Sequence, residues 1–301
     1  MSYFGEFEAL LTAVFWTVTS MSFESAGKKV GSLAVNLIRL LIAFCIYAVY
    51  LKITRGMFIP IDAGLERWLW LSLSGLVGFV IGDLLLFQAF VVVGARVSML
   101  IMSFTPPITA MISWMVLGEV LTPMNWLGMA VTITGISMVI LKRQKPNGST
   151  RLPLLTSAYS MQGILLALGG ALGQAAGLVI SKKGMGDYDA FASSQIRVLT
   201  GIVGFTILFF ILKRWKRVGH AIQNKSAMKR IALGSVFGPF LGVSFSLLAI
   251  QHTQAGIAAT IMAIVPVLII PPAIIIFKER PNWKEIVGAV ITVSGVGLFF
   301  L

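Results

Sequence analysis

Apolar stretches of about 18–25 residues recur along the chain, and short polar or Gly- and Pro-containing segments separate them. Each stretch is long enough to cross the ~30 Å hydrocarbon core of a bilayer as an α-helix. The pattern predicts an all-α integral membrane protein with ten transmembrane helices. These spans are expected at residues 8–26, 33–52, 67–92, 97–117, 124–141, 161–181, 190–212, 231–250, 256–277 and 284–301.

The composition supports a membrane protein. Hydrophobic residues make up 57% of the chain and charged residues 12%, whereas a soluble domain is about a quarter charged. A soluble enzyme, a disordered chain and a disulfide scaffold are excluded. With Cys45 as the only cysteine and His220 and His252 as the only histidines, neither an intrachain disulfide nor a His/Cys metal cluster is expected, and no cofactor is predicted. Residues 1–7 contain no Lys or Arg, so we expect the first helix to be retained rather than cleaved as a signal peptide.

The Lys and Arg residues divide unevenly between the two sides of the predicted bundle. With ten spans both termini lie on one side, called side A, whose loops hold five basic residues; the opposite side B holds seventeen. The positive-inside rule therefore places side B in the cytoplasm and the termini outside. The basic runs 142–151 and 213–230 are interpreted as topology determinants beside anionic lipid. They lack base-reading or stacking partners, so no nucleic-acid partner is expected.

The second half of the sequence repeats the first. At a shift of 160 residues Gly, Pro and Glu positions coincide without a gap, and a shift of 158 aligns Arg39 with Arg197. The matching pairs include Gly78 and Gly238, Gly82 and Gly242, Pro106 and Pro266, and Glu119 and Glu279. Each unit, residues 1–145 and 146–301, holds five predicted helices, an odd number, so the second enters the membrane from the opposite side. Two inverted five-helix repeats are an architecture of secondary transporters.

Two local features within the repeat bear on helix geometry. Pro106, Pro107 and Pro266 lie inside the predicted fourth and ninth spans, where they act as packing kinks or free backbone carbonyls beside a cavity. Small residues at four-residue spacing predict close helix contacts, and these faces could also slide during a conformational change. They are Ser74, Gly78 and Gly82; Gly169, Gly173 and Gly177; and Gly234, Gly238 and Gly242.

The repeat unit resembles an EamA-type unit. The resemblance rests on small residues in the third helix, a proline in the fourth, a turn at 117–122 containing Gly118 and Glu119, and a glycine-marked fifth helix. In the counterpart turn at 277–282 Lys278 replaces the glycine. Two such units are similar to a ten-helix member of the drug/metabolite transporter superfamily. The resemblance implies that helices 1, 3, 4, 6, 8 and 9 line a central cavity, that helices 5 and 10 are peripheral, and that a metabolite is exported.

Charges inside the spans are the first candidates for function, because they are costly there and mark pathways. Asp83 is predicted near mid-membrane in the third span, and its depth allows an ion pair with Arg39 in the second. Asp83 is either a static partner of Arg39 or a cavity-facing group that binds a proton. Arg197 repeats Arg39, but Val243 replaces the aspartate in the second half. We therefore predict a functional Asp83 and assign Arg39 and Arg197 structural roles as intramembrane charges.

Further polar and aromatic residues fall well inside predicted helices. An aromatic ring with a few convergent polar groups suits a mostly apolar site for a small organic solute, although helix packing explains each residue equally well. The candidates for substrate binding or coupling are Asp83, Trp16, Ser20, Gln88, Met102, Thr105 and Gln174.

These observations predict a secondary transporter that moves a small metabolite, such as an amino acid or drug-like solute, by alternating access, with protons as one option for the coupling ion. The sequence lacks a nucleotide-binding loop, so ATP drive is not expected. The alternatives are an intramembrane enzyme, for which Gly82-Asp83 and Tyr188-Asp189 have the wrong flanks and depth, and a non-transporting receptor. The expected partners are the solute and the bilayer, a monomer suffices for transport, and the predicted location is a bacterial or archaeal plasma (inner) membrane.

Overall fold

The computed structural model describes residues 3–92, 98, 101–142, 160–277 and 283–300, and these residues form helices and connecting turns without a β-strand. The predicted boundary between the halves at residue 145 and the repeated Glu279 lie outside the described residues. The first half contains α1 (Phe4–Val30), α2 (Ser32–Arg55), α3 (Leu65–Gly75), a π-helical segment π1 (Leu76–Gly82), α4 (Asp83–Val92), α5 (Thr105–Leu117) and α6 (Pro123–Lys142). The second half contains α7 (Met161–Met185), α8 (Ala190–Leu212), α9 (Trp215–Gln223), α10 (Lys225–Ser235), a second π-helical segment π2 (Val236–Gly242), α11 (Val243–His252), α12 (Ala255–Met262), α13 (Val265–Leu268), α14 (Ile270–Phe277), α15 (Trp283–Gly297) and a 3-10 turn (Leu298–Phe300).

Several helical stretches have the length and the apolar composition of membrane spans. Six such stretches occur within the described residues, and Thr105–Leu117 and Ile286–Phe300 are shorter apolar helices. The outer surface supports the same conclusion, since Ile53, Met115 and Phe210 are large, apolar and largely exposed. A soluble protein rarely exposes contiguous apolar surface on this scale. The six stretches are Ser32–Arg55, Leu65–Leu86, Met161–Met185, Ala190–Leu212, Lys225–His252 and Ala255–Pro272.

The two π-helical segments lie at equivalent positions of the repeat. Segment π1 interrupts the long helix made by α3 and α4, and π2 interrupts the one made by α10 and α11, 160 residues later. Each contains two glycines, and in π2 Pro239 has no N–H to donate to a regular α-helical bond. Because π-helical turns are rare and concentrate at functional sites, their repetition directs attention to the residues that follow them, Asp83 and Val243.

The prolines were expected inside continuous fourth and ninth spans, as packing kinks or as residues that free backbone carbonyls, but they lie in the first turns of new helices. In the first half Ile101 and Met102 are helical, Ser103 and Phe104 form a turn, and α5 begins with Pro106 in its first turn. In the second half α12 ends at Met262 and α13 begins with Pro266 in its first turn. Proline suits the first turn of a helix because the N–H it lacks has no intrahelical partner there. The corrected prediction is therefore a helix break in both halves.

Helices α6 and α15 pack against each other through equivalent residues. A Cβ atom at Gly135 would lie 2.4 Å from Thr292 Oγ1, and one at Gly295 would lie 2.5 Å from Thr132 Oγ1. Since Thr132 and Thr292 are related by the 160-residue shift, each helix uses a glycine to receive the other's threonine. The contact is self-complementary, as expected at a local two-fold axis.

The small-residue faces form two kinds of contact between the halves. Segment π1 packs on α7 glycine against glycine: a Cβ atom at Gly173 would lie 2.7 Å from Gly82 Cα, and one at Gly177 would lie 2.9 Å from Gly78 Cα. In the equivalent place, π2 packs on α1, where Gly242 contacts the bulky Trp16. The predicted close contacts are thus present, and the backbones approach more closely on the α7 side.

Helix α9 lies in the basic segment 213–230, where the sequence analysis expected a connecting segment. Val218 and Ala221 are buried, whereas Lys216 and Arg217 on the same helix are exposed. The helix forms because its apolar residues recur at helical spacing and its basic residues point to water.

Candidate functional site

An ion pair joins α2 to the centre of the bundle. Arg39 donates to the carboxylate of Asp83, and the two side chains are only 12% and 9% exposed. The amide of Gln174 on α7 donates to the other oxygen of Asp83 at 2.7 Å. The structure thus brings together three residues selected from the sequence, and it contains the Arg39–Asp83 pair that their predicted depths allow.

The local backbone explains how Gln174 reaches Asp83. Asp83 directly follows π1, and its neighbour Gly82 touches Gly173, the residue before Gln174. A side chain at Gly173 would push π1 away from α7, because its Cβ atom would lie 2.7 Å from Gly82 Cα, and a Cβ atom at Gly82 would be tight at 3.2–3.4 Å from its neighbours. The glycine faces therefore position a hydrogen bond between the two halves.

Arg197 lies beside this cluster on α8. The residue is 5% exposed, and its guanidinium covers the ring of Phe79 in π1, with Cζ 4.8 Å from the ring centroid. A Cβ atom at Gly78 would lie 3.5 Å from Arg197 Nη2, an ordinary contact distance, so the guanidinium lies directly beside this part of π1. The charges of Arg197 and Asp83 act on each other across the cluster.

The other predicted site residues are not assembled around Asp83. Trp16 is half-buried against Gly242, and the half-buried Ser20 donates to the backbone carbonyl of Thr17 at 3.1 Å. Met102 and Thr105 are half-buried on either side of the helix break. The Gln88 side chain is exposed.

Tyr47 belongs to the site's surroundings and was missed from the sequence. Its hydroxyl is fully buried, lies 2.7 Å from the carbonyl oxygen of Pro239 and 3.0 Å from that of Phe240, and contacts Ser244 Oγ at 2.7 Å. Its single O–H can donate to one of these oxygens at a time, and so it can bind a carbonyl of π2, where regular α-helical bonding is interrupted. The sequence did contain a sign of this role. Tyr47 lies inside an apolar helix, eight residues or about two turns after Arg39, on the same face.

The side A loops lie together at one end of the bundle and are held by a second ion pair. Lys182 binds Glu119 at 2.5 Å and also donates to the carbonyl oxygen of Thr253 at 2.5 Å. Glu119 accepts from the backbone N–H of Ala255 at 2.9 Å, so it caps the start of α12, and it accepts from Ser113 as well. The sequence analysis used Glu119 only as a family marker, because its partners are 63 and 136 residues away.

Further contacts close the same end. Tyr188 donates to Asp62 at 2.7 Å, Asp62 pairs with Arg55, and Glu8 contacts His252 Nδ1 at 2.8 Å. Burial, together with the hydrogen bond to the Asp62 carboxylate, raises the pKa of Tyr188 well above its ordinary value. The residues joined here come from α1, α2, α7 and α11 and the connections between helices, so this network ties both halves together at side A.

No metal centre is expected from these groups. Among the residues that the structure describes, no three His, Cys, Asp or Glu side chains are placed to hold a metal ion.

The fold and the buried ion pair are those of a multi-pass membrane protein with a polar centre. The chain belongs to the EamA-like transporter family, which matches it twice, over residues 3–141 and 161–301. This confirms the resemblance noted in the sequence and identifies a transporter family rather than an enzyme family. The chain is also similar to human solute carrier family 35 member G1, at 24% identity over 302 residues, 97% of this chain and 78% of the relative. A solved crystal structure shares the fold at a TM-score of 0.75 and 13% identity, with 99% of this chain and 97% of that chain covered.

Proposed function

We propose that the protein is a secondary active transporter that moves a small organic metabolite by alternating access. Its ten membrane helices would form two inverted five-helix repeats, which include the six clear spans and the shorter or more polar helices. One observation carries the proposal. The two halves share a π-helical segment and a proline-initiated helix break at the same register, and the buried charged cluster joins them.

Repetition of this kind suits alternating access. Two similar halves can pack in two related arrangements, of which one opens the central site inward and the other outward. In the arrangement described above, side A is closed by the Glu119–Lys182 pair and its neighbours. Opening side A requires these contacts to separate, so they are the expected outer gate if side B faces the cytoplasm.

Asp83 is the proposed coupling residue. In its ionised form it attracts Arg39 and accepts from Gln174, and so it holds α2, the π1–α4 junction and α7 together. A proton on Asp83 would remove the charge and weaken both contacts at once. Protonation would thereby favour a rearrangement of the halves, which is what a proton-coupled carrier requires.

The direction and location of transport complete the proposal. Export from the cytoplasm is proposed from the family resemblance alone, and the excess of basic residues on side B supports an orientation with side B in the cytoplasm. The proposed location is a bacterial or archaeal plasma membrane. The name of the human relative describes a solute carrier, which supports transport of a solute. An intramembrane enzyme and a receptor are the competing functions, and neither accounts for matching helix breaks in two halves.

Flux in proteoliposomes tests the proposal. The purified protein is reconstituted, the vesicles are loaded with a small-molecule extract of cells, and released compounds are quantified against protein-free vesicles. A carrier releases intact compounds with full mass balance. Chemical conversion of a compound would indicate an enzyme, and the absence of any protein-dependent release would contradict transport.

A further inference from the structure

Arg197 is a buried cation without a carboxylate of its own. Within the described part of the chain its guanidinium forms neither a hydrogen bond nor an ion pair, and its Nε is buried without a partner. The ring of Phe79 covers one face of the guanidinium. A ring interacts with that face only, so the N–H groups along the guanidinium edge remain to be satisfied.

Asp83 binds only one of the two arginines near it. Among the described side chains, Arg39 and Arg197 both lie near Asp83, and Gln174 is neutral. Asp83 makes its ion pair with Arg39, and an arginine does not release its proton inside a protein. Arg197 is therefore left in an apolar region without a hydrogen-bonded counter-charge, which is strongly unfavourable.

The position of Arg197 points to an incoming partner rather than to packing alone. The side chain lies along the π1 segment between the two halves, next to Gly78, where α7 also approaches. Arg39 occupies the equivalent sequence position in the first half, and its guanidinium binds Asp83. The equivalent of Asp83 in the second half is Val243. The second half thus lacks an acidic residue at the position where the first half has the acceptor for its arginine.

We propose that the transported solute is an anion, and that its carboxylate or phosphate oxygens bind the guanidinium of Arg197. The inference rests on the proposed transport function and replaces the structural role that the sequence assigned to Arg197. Carboxylates and phosphates share the property that matters, since both offer two oxygens to the two parallel N–H groups of arginine. Solute binding would compensate the charge of Arg197, and so it would couple occupancy to the packing of π1 against α7 and α8.

The loaded proteoliposomes described above separate this inference from the proposed function. Vesicles containing the wild-type protein, Arg197→Gln, Arg197→Lys or the control Arg230→Gln are filled with the same cell extract. Released compounds are sorted by mass spectrometry into carboxylates, phosphate esters, neutral compounds and cations. Arg230 is an exposed residue of α10 at side B, away from the cluster and from the side A network.

The expected result is selective release of carboxylates or of phosphate esters by the wild-type protein. Arg197→Gln should lower that release about tenfold or more, the usual effect of losing a hydrogen bond to a charged group. Arg197→Lys should retain part of it, and Arg230→Gln should match the wild type. Selective release of neutral compounds or cations, or anion release that Arg197→Gln leaves unchanged, would overturn the inference but leave transport intact. No release at all would contradict both.

Thermal unfolding of the purified variants supplies a second readout. Removing an uncompensated buried charge should leave the melting temperature of Arg197→Gln equal to or above that of the wild type. A marked fall in the melting temperature together with lost release would show that Arg197 stabilises the fold instead, and would overturn the inference.

Discussion

Arg39 and Asp83 form an ion pair across two helices that are 44 residues apart in sequence, and Gln174 from the other half of the protein donates to the same carboxylate. One acidic side chain therefore connects three helices and both halves. Arg39 and Gln174 both bind this carboxylate, and the proposed coupling role of Asp83 rests on these two contacts.

The first prediction concerns Asp83→Asn. Asparagine imitates the protonated carboxyl group, so the variant should still bind solute and exchange it across the membrane. Flux driven by a proton gradient should fall to the level seen without a gradient, because the charge that links proton to solute is absent. Exchange and gradient-driven flux in proteoliposomes measure both quantities. Normal gradient-driven flux in the variant would show that Asp83 does not couple protons to transport.

A purely structural pair gives a different result for the same variant. Leaving Arg39 without its carboxylate would destabilise the protein by about 3–5 kcal/mol. Asp83→Asn would then lower expression and the melting temperature, and adding Arg39→Gln would restore them. Loss of flux that is rescued in this way would assign the pair to stability.

The second prediction concerns the contact between α6 and α15. Gly135→Val would place a branched side chain where even a Cβ atom lies 2.4 Å from Thr292 Oγ1. The helices must separate, which should cost about 1–3 kcal/mol. The matched control is Gly297→Val, on the last residue of α15, where a Cβ atom meets nothing within 4 Å. The melting temperature of Gly135→Val should be clearly lower than that of Gly297→Val, and equal melting temperatures would contradict the described packing.

The third prediction concerns the side A ion pair. Glu119→Gln removes the charge that binds Lys182 and weakens the cap on Ala255, which should cost about 1–3 kcal/mol. Glu66→Gln is the control, since Glu66 is exposed in the first turn of α3. The melting temperature should fall for Glu119→Gln and change little for Glu66→Gln. If the two variants melt alike, the pair contributes nothing to closure at this end.

The fourth prediction concerns orientation. Single cysteines at Gln223 and Asp187, both exposed and on opposite predicted sides, are introduced in a Cys45→Ser background. An impermeant thiol reagent should label the cysteine at position 187 in intact cells and the one at position 223 only after permeabilisation. The seventeen-to-five division of basic residues is the reason. The reverse labelling pattern would invert the orientation and move the proposed outer gate to the cytoplasm.

The sequence by itself determined the membrane class, the internal repeat and the family, because these depend on local properties. Apolar length, the spacing of glycines and the register of Pro106 with Pro266 are visible in any short window of the chain. The depth of Asp83 and Arg39 in their spans also showed that an ion pair was possible, since a straight helix converts residue number into height, but it left a cavity-facing Asp83 as the alternative.

Only the tertiary structure decided which residues share the centre. The choice of Gln174 over Gln88 as the partner of Asp83 depends on how closely Gly173 approaches Gly82, a distance set by two helices 91 residues apart. The contact of the Tyr47 hydroxyl with π2 also depends on how the helices pack, and so does the position of Lys182 between Glu119 and Thr253. Helix propensity and hydropathy say nothing about rotation around a helix axis, and in a membrane the lipid side is as apolar as the protein interior. Packing alone therefore determined which face of each helix became the site.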